Sequence, residues 1–131
     1  MNSPKKRILV VDDDEILREL HTTVFEDGNY LVDSASNGRE AWDLITTQHY
    51  YLLATDMFMP ELNGFELILK CQQEYPMLKT ILISGGTKDI VAEHGKKTVV
   101  YMEQKIEIDA FLKKPFNLDE MLSIADKILQ D

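Results

Sequence analysis

Short, almost wholly apolar runs alternate along this chain with stretches whose apolar residues recur at helical spacing, and that alternation is what most limits its fold. "ILVV", "YYLLAT", "TILIS" and "AFL" are apolar on both faces, the signature of strands covered on both sides in a parallel sheet. Strands alternating with helices predict an α/β chain with a mostly parallel sheet, helices on both faces and right-handed crossovers. The first strand spans Arg7–Val11; "YLVDSAS", "YYLLAT" and "TILIS" follow as the next three, and "AFLKKPF" holds a short fifth. The first helix runs from a cap at Asp14 to about Glu26, with Ile16, Leu17, Leu20 and Val24 as its buried face. A second begins at Asn37 and Gly38 and turns Ala41, Leu44 and Ile45 inward. A third spans 65–74, behind the loop "MFMPELNG". The last covers 118–129, with Asn117 and Glu120 as a capping box and Phe116 stapled onto Met121. Glycines 85, 86 and 95 interrupt the segment before the fifth strand, where residues 98–106 predict one more helix.

A chain of 131 residues, 44% of them hydrophobic, has material for one cooperative core, so residues 1–131 are expected to form a single domain with no output domain behind it. A net charge of -9 opposes docking on nucleic acid or an anionic membrane. Cys71 has no partner for an internal disulfide. The apolar run after Lys5, Lys6 and Arg7 is too short for a signal peptide, and no stretch has transmembrane length. A soluble cytoplasmic protein is expected.

Ligands of such folds bind beyond the carboxyl ends of the strands, so the residues there carry the chemistry. They are Asp12, Asp13 and Asp14 after the first strand, Asp56 after the third, Ser84 at the end of the fourth and Lys114 in the fifth. Crowded carboxylates repel one another, more so when buried, and the triplet therefore calls for a cation. Hard oxygen ligands suit Mg²⁺, which accepts one or two carboxylates together with phosphate oxygens. Lys114 adds a second positive charge on a flexible stem. Asp56 is then placed to attack phosphorus, because a carboxylate needs no general base to act as a nucleophile. Ser84 can donate a hydrogen bond to a phosphoryl oxygen.

Each piece has a plainer counterpart. A short acidic run suits any helix N-terminus, Asp56 could be a turn residue, and Ser84 beside two glycines a loop start. Lys113 and Lys114 could shield an edge strand. Phe111 and Trp42 fit a core, and His21, His49 and His94 have no spacing for metal or catalysis. The agreement of four strand ends at once outweighs these separate readings.

The stretches "ILVVDDDE", "LLATDMFMPELNGFEL", "ILISGG" and "FLKKPF", in that order, resemble the receiver domain of two-component response regulators across essentially the whole chain, in the manner of a stand-alone chemotaxis regulator. The resemblance implies a flavodoxin-like, doubly wound sheet of five parallel strands in the order 2-1-3-4-5 with five flanking helices. It implies that Asp56 is the phosphoacceptor, and that Asp12, Asp13, Asp56 and the backbone carbonyl of Phe58 hold Mg²⁺. Ser84 matches the switch hydroxyl, Phe111 the switch aromatic and Lys114 the lysine of the family pattern. It further implies a sensor histidine kinase or histidine phosphotransfer protein as donor and a downstream protein as target. The signal would pass through a shift of the face made by helix four, strand five and helix five. Phe58 and Gly86 would flank the phosphoryl group without a side chain to orient water, so a self-modifying signalling domain with slow autophosphatase activity is expected, not an enzyme.

The chain also departs from the pattern. The triplet allows Asp13 and Asp14 as the acidic pair, although strand register favours Asp12 and Asp13 and leaves Asp14 as a cap. The segment from Ser84 to Lys114 is longer than in common receivers, and Glu107 and Ile108 stand where a small residue often does. Two other classes fit parts of the sequence. Asp12 and Asp14 have the Asp-x-Asp spacing of a Mg²⁺-dependent phosphatase of the haloacid dehalogenase kind, with Asp12 as nucleophile, but Glu15 and Ile16 follow where a hydroxyl is expected and Asp56 goes unexplained. A receiver-shaped interaction module would need no phosphate, yet the full set of side chains is present.

Overall fold

The computed structural model describes residues 4–85 and 97–130, together with the backbone of 90–91. The elements in chain order are β1 (Arg7–Val11), α1 (Glu15–Asp27), β2 (Leu31–Ala35), α2 (Gly38–Thr47), β3 (Leu52–Asp56), α3 (Gly64–Glu74), β4 (Lys79–Ser84), β5 (Ile90–Val91), β6 (Thr98–Tyr101), β7 (Gln104–Glu107), β8 (Ala110–Lys113) and α4 (Leu118–Ile128). Five strands form one parallel sheet in the order β2-β1-β3-β4-β8. This is the expected doubly wound architecture, with β8 as its fifth strand.

Alternation along the central strands divides the core in two. Leu9, Val11, Leu53, Leu82 and Phe111 point to one face, where they pack with Ala41 and Ile45 of α2 and with Phe65, Leu67, Ile68 and Cys71 of α3. Ile8, Val10, Leu52, Ala54, Ile81, Ile83 and Leu112 point to the other, against Phe25 of α1 and Met121 and Ala125 of α4. Because both faces are covered, β3 is buried along its whole length. Asp56 is its last residue rather than one beyond its end.

Caps set the helix starts. Asp14 accepts the Ile16 and Leu17 N–H groups, Asn37 that of Glu40, and Asn117 that of Asp119. A reciprocal capping box is present at α3, where Asn63 and Glu66 exchange side-chain and backbone bonds. The inner face of α1 differs from expectation: His21 and Phe25 are buried, whereas Ile16 is 77% exposed and Leu20 is exposed as well. The helix starts at Glu15, and from that register the position that reaches the sheet is Phe25.

The helix expected at residues 98–106 is instead the antiparallel hairpin β6–β7, which with β5 makes a separate three-stranded sheet. The described residues therefore hold four helices where five were expected. "TVVY" is β-branched and aromatic, which favours a pleated strand, and Val99 pairs directly with Ile106 on the buried side. Val99, Ile106 and Ile108 join Phe65 and Phe111 in the core, so the hairpin covers the part of the sheet that α3 leaves open. Each such aliphatic side chain contributes roughly 1.5–3 kcal/mol when fully buried. The turn at Met102 and Glu103 places both residues at positive φ, 48° and 64°, a hairpin turn made without glycine or asparagine.

Two glycines allow main chain to meet main chain near the end of β3. A Cβ on Gly38 would lie 2.0 Å from the Leu62 carbonyl oxygen, and one on Gly64 would lie 2.3 Å from that of Asp56. Neither neighbour is a flexible side-chain tip that could move aside. Gly85, by contrast, has open space around it. Gly38→Ala is expected to lower stability by about 2 kcal/mol or more and Gly85→Ala to change it little, as measured by chemical denaturation.

Candidate functional site

The carboxyl ends of β1, β3, β4 and β8 bring Asp12, Asp13, Asp56, Ser84 and Lys114 together. Asp12 follows β1, is almost fully buried, and is tied to β2 through its N–H to the Ala35 carbonyl at 3.2 Å. Its carboxylate accepts the Asp14 N–H at 2.9 Å, and its carbonyl accepts Arg18 Nη1 at 2.9 Å. Carboxylate oxygens of Asp12, Asp13 and Asp56 all lie within 4.8 Å of one another. Asp14 stands apart, its side chain engaged in capping α1. The acidic group is thus built from Asp12 and Asp13 rather than Asp13 and Asp14.

Lys114 Nζ forms an ion pair with Asp56 Oδ1 at 2.8 Å. The lysine is aimed by the main chain: its N–H donates to the Ser84 carbonyl at 2.9 Å, one step beyond the Ser84–Lys113 register pair. Ser84 is buried at the end of β4. The main chain after Asp56 is held to β4, since the Met57 N–H donates to the Ile83 carbonyl at 2.8 Å, and the Phe58 N–H facing the Asp56 carboxylate acts to lower its pKa. The Phe58 ring lies half-exposed over this end of the sheet. Phe111 is fully buried, with its ring already inside the core. Gly86 lies outside the described residues.

Burial is the main electrostatic fact of the site. It raises the Asp12 carboxyl to about 6, helped by the charges of Asp56 and Asp13 and opposed by the Asp14 N–H and Lys114. Burial also raises Asp56, despite the Lys114 bond and charge acting to lower it. Desolvation works to lower Lys114, but its bond to Asp56 and the surrounding carboxylates outweigh that and raise it. Three clustered carboxylates faced by one ammonium form a hard-oxygen donor set with surplus negative charge, which fits a small divalent cation.

Several contributors were not singled out in the sequence. Arg18 gave no signal, because a helical arginine is ordinarily solvated. The glycine of the "MFMPELNG" loop, Gly64, belongs to the family motif, but its packing against the Asp56 carbonyl, where a Cβ would lie 2.3 Å away, has no signal in the sequence. His21 is buried beside Phe116, their ring centroids 5.8 Å apart, and burial followed by the Lys114 charge lowers its pKa.

Comparison with known proteins agrees with this geometry. The family model described as "Response regulator receiver domain" matches residues 8–126. The response regulator receiver protein CpdR of Brucella abortus is 30% identical over 95% of this chain and 97% of its own length. A 3',5'-cyclic-nucleotide phosphodiesterase, regA, of Dictyostelium discoideum is 33% identical over 98% of this chain, which spans only 16% of that protein, and it spans 51% of the response regulator Rre1 of Synechocystis. Among solved structures, the Thermotoga maritima response regulator TrrA in complex with Mg²⁺ and BeF superposes with a TM-score of 0.77 at 29% identity, covering 95% of this chain and 99% of that one. The chemotaxis regulator CheY4 of Vibrio cholerae shares the fold at a TM-score of 0.78 and 22% identity, over 96% and 100% of the two chains. With these matches and this site, the chain belongs to the response regulator receiver domain family, a family of signalling domains. No helix among the described residues is long and apolar enough to cross a membrane.

The raised Asp12 carboxyl sets a pH dependence. Its proton is bound more tightly in the folded chain than in the unfolded one, where the value is 3.8, so the contribution of Asp12 to the stability of the metal-free protein grows as pH falls through 6 and levels off below 3.8. The gain should be on the order of 2 kcal/mol between neutral pH and pH 4. Asp12→Asn should remove most of it, as followed by denaturant midpoints with a chelator present.

Proposed function

We propose that this receiver takes a phosphoryl group onto Asp56 from a phosphohistidine on a sensor histidine kinase or a histidine phosphotransfer protein, with Mg²⁺ as cofactor. The observation that carries the reading is the placement of the Asp56 carboxylate, paired with Lys114 at 2.8 Å and clustered with Asp12 and Asp13 at the end of the central strand. In the transfer an Asp56 oxygen forms the new bond to phosphorus while the donor's P–N bond breaks, and the departing imidazole takes up a proton. Asp12, Asp13, Asp56 and the Phe58 carbonyl would hold the ion, which when bound neutralises phosphoryl oxygens. Lys114 then passes from the Asp56 carboxylate to a phosphoryl oxygen, and Ser84 offers its hydroxyl from the end of β4. A relative crystallised with Mg²⁺ and BeF supports this assignment of chemistry. The haloacid dehalogenase alternative has less support, since Asp14 is spent on the cap of α1 and cannot act as the second carboxylate beside Asp12.

Phosphorylation adds close to two negative charges and strong acceptors beside Ser84. Drawing Ser84 toward them opens space on the Phe111 side of β4. Phe111 is already inside, so its adjustment is a short repacking rather than a swing from solvent. The target is a downstream protein whose fit changes with this shift, and the expected output face must include the β6–β7 hairpin where a fourth helix had been foreseen.

Incubation with a small phosphodonor and Mg²⁺ should add one phosphoryl group by mass spectrometry, and Asp56→Asn should abolish it; labelling elsewhere would overturn the assignment. Ser84→Ala should still accept phosphate while losing the NMR shifts around Phe111. The acyl phosphate should be long-lived, because the Phe58 side chain cannot orient an attacking water. Phe58→Asn should shorten its lifetime several-fold in a phosphate-release assay.

A further inference from the structure

We propose that Tyr101 is a positioning residue that ties the β6–β7 hairpin to the loop behind Asp56, so that phosphorylation moves the hairpin. The inference rests on Asp56 as the acceptor and goes beyond it. The loop leaves Asp56 at Met57 and returns at Gly64, whose N–H closes on the Met57 carbonyl at 2.8 Å. Phe58 stands near its start, and Phe65 follows its end. Both rings meet Tyr101: Phe58 edge-on at 6.4 Å and 73°, Phe65 tilted at 5.5 Å and 50°. One side chain from the hairpin therefore touches both ends of the phosphorylation loop.

The link begins at the reacting atoms. Phe58 follows Asp56 by two residues, and its N–H faces the Asp56 carboxylate and favours the ionised form. Once a carboxylate oxygen becomes the bridge to phosphorus, the N–H that faced it meets a bulkier group in its place. Phe58 moves with its backbone, and Tyr101 with the ring packed against it. The base of the hairpin resists, because Val99 and Ile106 are buried in the core and Gln72 donates to the Glu107 carbonyl. Its tip does not resist: Met102 is 73% exposed, and Met102 and Glu103 hold positive φ, which non-glycine residues adopt at a cost. Tyr101 sits directly before that turn and pairs with Gln104 across it. Displacement at Phe58 is therefore delivered to the end of the hairpin that yields.

The test uses the full chain, labelled for NMR at backbone amides and Met methyl groups, with Mg²⁺ and beryllium fluoride added. The Met57 amide reports the site, and the Met102 methyl with the amides of residues 98–107 reports the hairpin. Wild type and Tyr101→Phe should shift at both places, while Tyr101→Leu should shift at Met57 and lose the hairpin response. Phe58→Leu, changing a half-exposed ring at the other end of the link, should lose the same response without disturbing the core. Hairpin shifts of wild-type size in both leucine variants overturn the role of Tyr101, as does a wild-type hairpin that stays still while Met57 moves. Absence of any shift at Met57 in wild type overturns the assignment of Asp56 itself, and the coupling with it.

Discussion

Everything at the carboxyl end of the sheet follows from holding three carboxylates within 4.8 Å of one another at a largely buried position. Like charges at that spacing, taken partly out of water, destabilise the folded chain unless a proton or a cation joins them. Lys114 answers part of the excess through Asp56, and the Asp14 N–H answers part of it at Asp12. Burial, with what is left of that excess, raises the Asp12 carboxyl to about 6, and the surplus negative charge fits a bound cation. The same imbalance that weakens the metal-free fold would favour a divalent ion at this position.

Such a site works only if its main chain cannot relax away from the repulsion. Parallel pairing fixes the ends of β1, β3, β4 and β8 in register, and the strands are locked by apolar cover on both faces. Gly64 lies on the Asp56 carbonyl and Gly38 on that of Leu62, so the loop after β3 is pressed between α2 and α3. Polar strain at the surface of the sheet is thereby carried by packing beneath it. Fold and site are in this sense one problem, with the core supplying the rigidity that the carboxylates require.

That division explains what could be read from the residues alone. Strands apolar on both faces, such as "ILVV" and "TILIS", leave no alternative to a covered parallel sheet, and such a sheet places its chemistry at strand ends. Asp12, Asp13, Asp56, Ser84 and Lys114 were legible for that reason. The face of α1 was not, because Ile16 and Leu20 satisfy the helical period as well as His21 and Phe25 do, and only the path of the chain from Asp14 decides which set turns inward. Residues 98–106 misled for a different reason. Their turn, Met102–Glu103, lacks the glycine or asparagine that normally announces a hairpin, and Met, Glu, Gln and Lys are good helix formers. The β-branched run "TVVY" was the competing local signal, and burial of Val99 against Ile106 decided for it.

The hairpin also separates what this architecture fixes from what it leaves free. The sheet needs apolar cover over Phe65 and Phe111, and Val99, Ile106 and Ile108 meet that need from strands as well as a helix could. Outward-facing positions carry no such requirement. Gln104, Lys105 and Glu107 are exposed, with Lys105 and Glu107 3.9 Å apart, an ion pair too solvated to matter for stability. A helix in this place would offer a partner only side chains, its backbone being satisfied internally. A short antiparallel sheet offers side chains together with an exposed turn at Met102 and Glu103. Tyr101 sits where that turn meets the loop behind Asp56, so the element that departs from the expected helix is packed against the loop that carries the candidate phosphoacceptor.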